Sequence, residues 1–328
     1  MHILILGAAG MVGRKLAERL ARDGALGGVA ISKMTLQDIV APAVPAGAAM
    51  SVKSVTCDFS EAGAIPPLLS ERPDVIFHLA AIVSGEAEAD FDKGYRINFI
   101  GTHALLEAIR AVGEGYKPRL VFTSSIAVYG APFHDKIDDE FFHTPLTSYG
   151  TQKAVCELLV TDYSRRGFLD GISIRLPTVC VRPGRPNKAA SGFFSNIIRE
   201  PLSGKEAVLP VAEDVRHWHA SPRSTVGFLL HAGTMDLSRL GWRRGLTMPG
   251  LSATVGEQIA ALTRVAGPKV AARIRRAPDP TIIAIVAGWP RDFAAVRARE
   301  LGFTTAEATF DDIISIHIED ELGGTFVG

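Results

Sequence analysis

The chain begins with His2-Ile-Leu-Ile-Leu6 and runs directly into Gly7-Ala-Ala-Gly10-Met-Val-Gly13. The apolar run is bounded by glycine, which is typical of a strand that is buried on both faces. The residues from Lys15 to Arg22 continue with a helical pattern of apolar positions. A strand, a Gly-x-x-Gly-x-x-Gly loop and a helix in direct succession predict a nucleotide-binding loop in an α/β protein.

Each glycine of this loop has a different predicted purpose. Gly7 permits a tight turn, Gly10 lets the backbone approach a pyrophosphate, and Gly13 lets the helix pack closely on the strand. The helix N-terminus then faces the phosphates. A glycine-rich turn without a ligand is the alternative, and the flanking strand and helix make it the weaker one. The predicted cofactor contacts of the loop are Gly7, Gly10, Met11, Val12 and Gly13.

Composition and charge limit the class of protein. Of the 328 residues, 47% are hydrophobic and 21% are charged, which suffices for one large domain or two smaller ones. The formal net charge is +0, so we expect neither nucleic acid nor a membrane surface as a partner. Cys57, Cys156 and Cys180 have no metal-ligand spacing and suggest a reduced, cytoplasmic protein. No run of about 18 apolar residues predicts a membrane span.

The second strand of the nucleotide-binding fold is delayed by an insert from Gly24 to Lys33. We predict this strand at Met34–Asp38, with Asp38 on the ribose diol of the adenosine. A carboxylate there would repel a 2′-phosphate and favours NAD over NADP. The alternative is that Asp38 only begins a turn. A further strand is predicted at Val52–Thr56, with Asp58 near the adenine edge.

The next strand, Asp74–Ala81, ends in small residues that let a cofactor lie against the chain. Leu79, Ala80 and Ala81 are therefore predicted cofactor contacts. Ser84 follows on a loop beyond the carboxyl end of the strand, where ligands of such sheets bind. A helix is predicted from Tyr95 to Ala111, and Asn98 within it is expected to make buried hydrogen bonds.

A catalytic pair is predicted in Ser148-Tyr-Gly-Thr-Gln-Lys153, at the start of the next helix. Tyr149 and Lys153 are four positions apart and lie on one helix face. A phenol titrates near ~10, and a neighbouring ammonium favours its ionised form, so the pair can act as a general base. Upstream, the strand Arg119–Thr123 leads to Ser125, whose hydroxyl can bind a substrate oxygen. A plain turn serine is the alternative.

Strands and helices alternate up to the strand Gly171–Leu176, which predicts a doubly wound parallel sheet of the Rossmann type. Pro177 and Thr178 follow this strand, with Pro177 as a further cofactor contact. We expect a NAD-binding domain over residues 1–178, to which 211–245 returns. Residues 179–210 and 246–328 are expected to form a smaller C-terminal substrate-binding lobe.

These motifs together resemble the extended short-chain dehydrogenase/reductase family. The residues that carry the likeness are Gly7, Gly10, Gly13, Asp58, Asn98, Ser125, Tyr149 and Lys153, in this order. Ser124-Ser-Ile-Ala-Val-Tyr-Gly130 and Arg175-Leu-Pro-Thr-Val179 resemble its nucleotide-sugar epimerase and dehydratase branch. The resemblance implies NAD as the cofactor and a homodimer formed through the helices of Asn98 and Tyr149. It also implies that Tyr149 is the base, Lys153 holds the nicotinamide ribose, and Asn98 supports the lysine.

The second half departs from the sugar-nucleotide enzymes and resembles dehydrogenases of bacterial sugar-acid catabolism. The segments concerned are Ala81-Ile-Val-Ser-Gly-Glu86, Ala190-Ser-Gly-Phe-Phe-Ser-Asn196 and Arg216-His-Trp-His-Ala-Ser-Pro-Arg223. This resemblance implies NAD-dependent oxidation of the C2 hydroxyl of a small aldonic acid, D-erythronate, to its 2-keto acid.

A small carboxylate substrate needs cationic or amide donors. The candidates for substrate binding are Ser84, Ser125, Tyr149, Thr178, Arg182, Ser191, Asn196, His217, His219 and Arg223. Arg182 and Arg223 could equally form structural ion pairs. His217 and His219 alternate on an extended segment, but no carboxylate or cysteine stands at ligand spacing, so we predict no metal and expect hydrogen bonding or packing.

Two other functions stay open at this point. A nucleotide-sugar epimerase or dehydratase would keep NAD bound through its cycle and release no NADH. A dinucleotide-sensing protein would need only the glycine loop, and the set of Ser125, Tyr149 and Lys153 argues against it.

Overall fold

The computed structural model describes residues 1–113, 115–184 and 190–328. The chain divides into two compact units. The first comprises Met1–Val128, Thr147–Arg175 and Phe228–Leu246, and the second Tyr129–Leu146, Leu176–Gly227 and Thr247–Gly328. Residues 129–146, 176–178 and 211–227 thus lie in the second unit, whereas the sequence-based division assigned them to the first domain. Residues 185–189 of the predicted smaller lobe lie outside the described residues.

The described part of the chain alternates between short strands and helices. The strands are β1 (His2–Leu6), β2 (Ala25–Leu26), β3 (Val29–Ala30), β4 (Lys33–Asp38), β5 (Ser51–Thr56), β6 (Val75–His78), β7 (Arg119–Ser125), β8 (Asp170–Leu176), β9 (Thr178–Val179), β10 (Ala207–Leu209), β11 (Arg216–Ala220), β12 (Gly245–Thr247), β13 (Leu251–Thr254) and β14 (Ile274–Arg276).

The helices are likewise numbered in the order in which they occur along the chain. They are α1 (Met11–Asp23), α2 (Pro66–Leu69), α3 (Ser84–Ala89), α4 (Phe91–Gly94), α5 (Thr102–Val112), α6 (Ser148–Arg165), α7 (Gly192–Leu202), α8 (Pro222–Thr234), α9 (Val255–Ala266), α10 (Pro268–Ala271), α11 (Pro280–Ala287), α12 (Val296–Glu300) and α13 (Phe310–Leu322). A π-helix, Tyr95–Gly101, precedes α5, and 3-10 turns occur at Ile126–Val128 and Leu237–Leu240.

A seven-stranded sheet with the order β12-β8-β7-β6-β1-β4-β5 forms the centre of the first unit. The four pairings from β7 across to β5 are parallel. Every residue of β1 is buried, as its uninterrupted apolar run requires. The strand order reverses at β1, since β4 lies on one side and β6 on the other. The prediction of a doubly wound parallel sheet is therefore confirmed.

The second unit has its own core and two small sheets. One sheet has the order β13-β11-β9 and the other pairs β10 with β14. Helices α7, α9 and α13 contribute buried apolar side chains to a continuous cluster that includes Phe194, Ile197, Leu262 and Ile314. Among the described residues of the chain, no helix is both long and apolar enough to cross a membrane.

Two local features differ from the sequence-based expectation. The insert that delays the second strand contains a small antiparallel hairpin, in which β2 pairs with β3. The helix predicted from Tyr95 to Ala111 begins as the π-helix Tyr95–Gly101, which places Asn98 in a wider turn. Propensity gives no signal for the extra residue of a π-turn, so the pattern of apolar residues could not reveal it.

Backbone packs directly on backbone around the glycine loop. A Cβ atom on Gly13 would lie 2.2 Å from the carbonyl oxygen of Gly7, and one on Gly7 would lie 2.6 Å from the nitrogen of Ala80. Gly7 also has a φ of +85°, a conformation that side chains disfavour. The loop, the start of α1 and the end of β6 can therefore approach one another only because these two positions lack side chains.

We predict that Gly13→Ala displaces α1 from the loop, because a methyl group cannot occupy a space bounded by backbone. It should lower the free energy of unfolding by about 3 kcal/mol and abolish detectable NADH binding. Urea unfolding and NADH fluorescence measure the two effects. Gly227→Ala in α8 is the matched control, since a Cβ there meets no atom within 4 Å. It should be neutral or stabilise by up to about 1 kcal/mol, and equal behaviour of both variants would contradict the packing argument.

Candidate active site

The glycine loop leaves a helix N-terminus without a cap. Gly10 is the N-cap residue of α1, and no side chain accepts a hydrogen bond there. The N–H groups of Gly7 and Ala8 both donate to the carbonyl oxygen of Gln37, at 2.9 Å, which ties the loop to the end of β4. The first turn of a helix has N–H groups with no partner within the helix, and its dipole favours an anion. This uncapped, side-chain-free cradle fits the pyrophosphate of a dinucleotide.

The sequence-predicted adenosine contacts lie in the same unit. A carboxylate oxygen of Asp38 accepts the N–H of Ala9 at 2.9 Å, so Asp38 borders the loop directly. Asp58 accepts hydrogen bonds from Ser60 and from Nη1 of Arg96, the latter at 2.9 Å. Burial would raise the pKa of Asp58, but these hydrogen bonds outweigh it and lower the pKa. Leu79, Ala80 and Ala81 follow β6 and are half-buried beside the loop.

The predicted catalytic pair stands at the start of α6. Thr147 caps this helix by accepting the N–H of Gly150 at 3.0 Å, which sets the register of the first turn. Nζ of Lys153 lies 5.8 Å from the ring centre of Tyr149. It donates to the carbonyl oxygen of Thr123 at 2.8 Å and is 3% exposed. Burial lowers the pKa of Lys153 to about 8, so the side chain is cationic at neutral pH.

Ser125 ends β7, the strand that also supplies the carbonyl contact for Lys153. Its hydroxyl oxygen accepts the N–H of Ala127 at 3.1 Å, which orients the side chain at the start of the 3-10 turn. Ser125 is half-buried, and Ser84 is likewise half-buried at the beginning of α3. A serine that accepts a backbone N–H keeps its own hydrogen for another acceptor.

Asn98 joins the loop after β6 to helix α6. Its Oδ1 accepts the N–H of Ile82 at 2.9 Å, and its Nδ2 donates to the carbonyl of Ile82 and to Oε1 of Gln152, the latter at 2.8 Å. Asn98 is 2% exposed, as its polar character within an apolar repeat predicted. Gln152, directly before Lys153, was not singled out from the sequence. Its position one residue from the lysine was the available signal.

A buried hydrogen-bond chain continues from Asn98 toward the sheet. Thr102 donates its hydroxyl to the carbonyl oxygen of Asn98 at 2.8 Å, and its oxygen lies 2.8 Å from Nε2 of His78. Because a hydroxyl has one hydrogen, Nε2 of His78 must be the donor to Thr102. Burial and the nearby charge of Lys153 lower the pKa of His78 to about 3, so His78 is neutral.

The histidines of β11 are buried in the second unit. Nδ1 of His217 lies 2.9 Å from the carbonyl oxygen of Pro290 and therefore carries the hydrogen, because a carbonyl only accepts. Nε2 of this neutral ring then accepts from the hydroxyl of Thr178 at 2.7 Å. Burial lowers the pKa of His217 to about 4. His219 is 0% exposed and contacts Gln258, and burial lowers its pKa well below 6.5.

Three other sequence-predicted substrate residues meet in the second unit. Nη2 of Arg182 donates to the hydroxyl oxygen of Ser191 at 2.7 Å. Oδ1 of Asn196 accepts from Nη2 of Arg199 at 2.7 Å, and Nη1 of Arg199 donates to the carbonyl oxygen of Arg182 at 2.8 Å. Arg199 was not predicted from the sequence, where an arginine at i+3 from an asparagine carries no specific signal.

Two other predicted site residues, Arg223 and Pro177, lie in the second unit. Arg223 forms ion pairs with Glu319 at 3.0 Å and Asp320 at 2.5 Å, which is the structural alternative considered for it. Pro177 is buried in the second unit. In the described ranges, no group of three or more His, Cys, Asp or Glu side chains could hold a metal ion.

Comparison with known proteins assigns the fold and the loop to a family. Residues 3–220 match the NAD dependent epimerase/dehydratase family. The chain belongs to this family. A D-erythronate dehydrogenase from Cupriavidus necator is 46% identical over 324 residues, which is 98% of either chain. Another from Haemophilus influenzae is 41% identical over 98% of this chain and 100% of its own. The prediction of an NAD-dependent oxidoreductase that acts on CH–OH groups is thereby confirmed.

Solved structures that are similar to this chain agree on the fold. A crystal structure described as a nucleoside-diphosphate-sugar epimerase from Agrobacterium tumefaciens is 64% identical, with a TM-score of 0.97 over 99% of this chain and 95% of its own. An L-threonine 3-dehydrogenase from Trypanosoma brucei has a TM-score of 0.85 over 99% of both chains at 23% identity, and supports the fold alone.

We predict that the burial of His217 makes the free energy of unfolding depend on pH. Its pKa is lowered from 6.5 to about 4, so between these pH values the unfolded chain binds a proton that the folded chain does not. The free energy of unfolding should therefore fall as the pH falls through this window, by at most about 3 kcal/mol from this group. In His217→Asn this part of the slope should vanish in urea unfolding at pH 4 to 7. The exposed His134→Asn is the matched control, and identical slopes in both variants would contradict the assignment.

Proposed function

We propose that this chain is an NAD-dependent dehydrogenase that oxidises the C2 hydroxyl of a small aldonic acid, with D-erythronate as the substrate and 2-dehydro-D-erythronate as the product. One observation carries the proposal. Two relatives named D-erythronate dehydrogenase, at 46% and 41% identity, match this chain over 98% of its length.

Tyr149 is the proposed general base. Its phenolate takes the proton of the C2 hydroxyl, while the C2 hydrogen leaves as a hydride and a carbonyl forms. When bound, NAD⁺ supplies the acceptor for this hydride. The cationic Nζ of Lys153, 5.8 Å from the ring, stabilises the phenolate by charge. We further propose that Lys153 contacts the nicotinamide ribose.

Ser125 and Asn98 are proposed to position the reacting groups. The hydroxyl of Ser125 keeps its hydrogen for the substrate oxygen, because it accepts rather than donates in its contact with Ala127. Asn98 acts through Gln152, which it bonds at 2.8 Å and which is the neighbour of Lys153. This clamp restricts α6 and hence the orientation of the lysine.

The first unit is proposed as the NAD-binding part and the second as the substrate-binding part. The proposed cofactor contacts are Gly7, Gly10, Met11, Val12, Gly13, Asp38, Asp58, Leu79, Ala80, Ala81, Asn98, Tyr149, Lys153 and Pro177. The proposed substrate set is Ser84, Ser125, Tyr149, Thr178, Arg182, Ser191 and Asn196, with His217 acting through Thr178. His219 and Arg223 do not belong to this set. His219 is fully buried, and Arg223 is paired with two carboxylates, so both favour structural roles.

We also propose a homodimer that pairs the helices carrying Asn98 and Tyr149. Ile100, in the π-helix before α5, is 52% exposed, and Leu158 on α6 is 63% exposed. Apolar side chains on the two neighbouring helices are suited to a second copy of the chain.

A nucleotide-sugar epimerase is the second candidate, because the Agrobacterium tumefaciens structure at 64% identity carries that description. The two reactions differ in their use of the cofactor. A dehydrogenase releases one NADH for each substrate molecule, whereas an epimerase returns the hydride and accumulates none.

We predict that the purified protein forms NADH from NAD⁺ with D-erythronate, and that Tyr149→Phe lowers kcat by about 100-fold or more because the base is removed. A panel of four- and five-carbon aldonates and nucleotide sugars, followed at the NADH absorbance, measures this. NADH binding by Tyr149→Phe should be retained.

Tyr163→Phe is the matched control, since Tyr163 lies on the same helix but donates to Glu107. It should keep wild-type turnover. If a nucleotide sugar is converted while no aldonate yields NADH, the dehydrogenase proposal is wrong. If Tyr149→Phe turns over like Tyr163→Phe, the base is a different residue.

We predict that the enzyme prefers NAD⁺ to NADP⁺, and that Asp38→Ser reduces this preference by about tenfold because a charge repulsion is removed. The measured quantity is the ratio of kcat/KM for the two cofactors. Asp74→Asn is the matched control, because Asp74 also accepts a backbone N–H, from His2 at 2.7 Å at the opposite end of β1. A wild-type preference for NADP⁺ would refute the role of Asp38.

A further inference from the structure

The hydrogen-bond donors of a neighbouring arginine fix the orientation of the Asn196 carboxamide. Oxygen and nitrogen of an amide are interchangeable in shape, but an arginine side chain has only donors. The atom of Asn196 that lies 2.7 Å from Nη2 of Arg199 must therefore be the oxygen. Nδ2 of this half-buried side chain on α7 then carries two hydrogens that no hydrogen bond among the described residues uses.

Arg199 is itself an anchored, buried side chain. It is 7% exposed, and its Nε donates to Oε1 of Glu200 at 2.9 Å, which compensates its charge. Its Nη1 and Nη2 hold the carbonyl oxygen of Arg182 and the carboxamide of Asn196. A guanidinium that is buried, paired and bonded at three nitrogens serves as a rigid support. It is therefore placed to hold other groups and not to bind an anion itself.

Asn196, which Arg199 holds, and Ser191, which Arg182 holds, share one polarity. The hydroxyl oxygen of Ser191 accepts from Nη2 of Arg182, which leaves the hydroxyl hydrogen of Ser191 to donate. The N–H of Arg182 donates to the hydroxyl of Ser195 at 3.0 Å and joins this segment to α7. Asn196 and Ser191 therefore both present hydrogens. Two donors without an acceptor suit an anionic oxygen, such as that of a carboxylate.

We propose that Arg199 is a positioning residue for substrate recognition, which holds Asn196 so that its Nδ2 donates to the carboxylate of the sugar acid. This inference rests on the proposed function, because a dehydrogenase of aldonic acids is what supplies a carboxylate substrate. Arg199 acts through Asn196 and does not itself contact the substrate.

A double-mutant cycle tests the coupling. With D-erythronate, Asn196→Ala and Arg199→Met should each raise KM by about tenfold, the size expected for one charge-assisted hydrogen bond. We expect kcat and the KM for NAD⁺ to change by less than about threefold. The double variant should have the KM of Asn196→Ala within about twofold, because Arg199 has nothing left to orient. Arg199→Lys should restore part of the affinity.

Two further variants separate positioning from folding. Arg264→Met removes another arginine of the second unit, paired with Asp311 at 2.5 Å, and should leave KM unchanged. Asn196→Asp keeps the shape of the side chain but replaces the donors by an anion, so its KM should exceed that of Asn196→Ala. Thermal unfolding and NADH binding report whether each variant is folded. If Arg199→Met does not fold, Arg199→Lys and Asn196→Asp decide the question.

The outcomes distinguish this inference from the function on which it rests. Wild-type protein that forms no NADH from D-erythronate overturns the proposed function and the inference together. If the wild-type protein turns over D-erythronate, but the KM effects of Asn196→Ala and Arg199→Met multiply in the double variant, the inference alone is wrong. The same holds if folded Arg199→Lys and Asn196→Asp keep the wild-type KM.

Discussion

Direct contact between backbone segments at the glycine loop is the constraint on which the first unit depends. A Cβ atom on Gly13 would collide with the carbonyl oxygen of Gly7, and one on Gly7 would collide with the backbone of Ala80. Helix α1 can therefore lie against β1 only while both positions lack side chains. The same contact brings the ends of β4 and β6 to the loop, so that Asp38 and Ala80 border one cradle. The side-chain-free cradle and the packing of the sheet are consequences of one arrangement.

The buried ammonium of Lys153 imposes a second requirement. A cation at 3% exposure needs acceptors, and the carbonyl of Thr123 provides one at 2.8 Å. The surroundings then become a polar network: Asn98 bonds Gln152, and Thr102 links Asn98 to His78. His78 is neutral because burial lowers its pKa, so the network adds no second positive charge beside the lysine. Within this described network of Lys153, Asn98, Gln152, Thr102 and His78, Lys153 is therefore the one cationic side chain.

Local patterns predicted six strands of the central sheet, the glycine loop and the pair of Tyr149 and Lys153, since each depends on spacing along the chain. The π-turn at Asn98 has no signal in the sequence. The contact of Asn98 with Gln152 depends on which helices meet, and the position of Gln152 next to Lys153 does not reveal that contact. Arg182 and Arg223 looked alike as cations. In the structure Arg223 meets two carboxylates on α13, whereas Arg182 donates to the hydroxyl of Ser191. Pairing of charges that lie far apart in the chain follows from tertiary structure, and composition cannot supply it.

The π-helical segment Tyr95–Gly101 gives the chain a particular sensitivity to changes in length. A π-turn holds one residue more than an α-turn, and each residue of an α-helix turns the chain by about 100°. Loss of a single residue before Asn98 would let the segment close into a regular helix and would rotate the carboxamide away from Ile82. Helix α5 beyond it would keep its register. A change in the number of residues in this segment would therefore disturb the contacts of Asn98 and leave α5 in place.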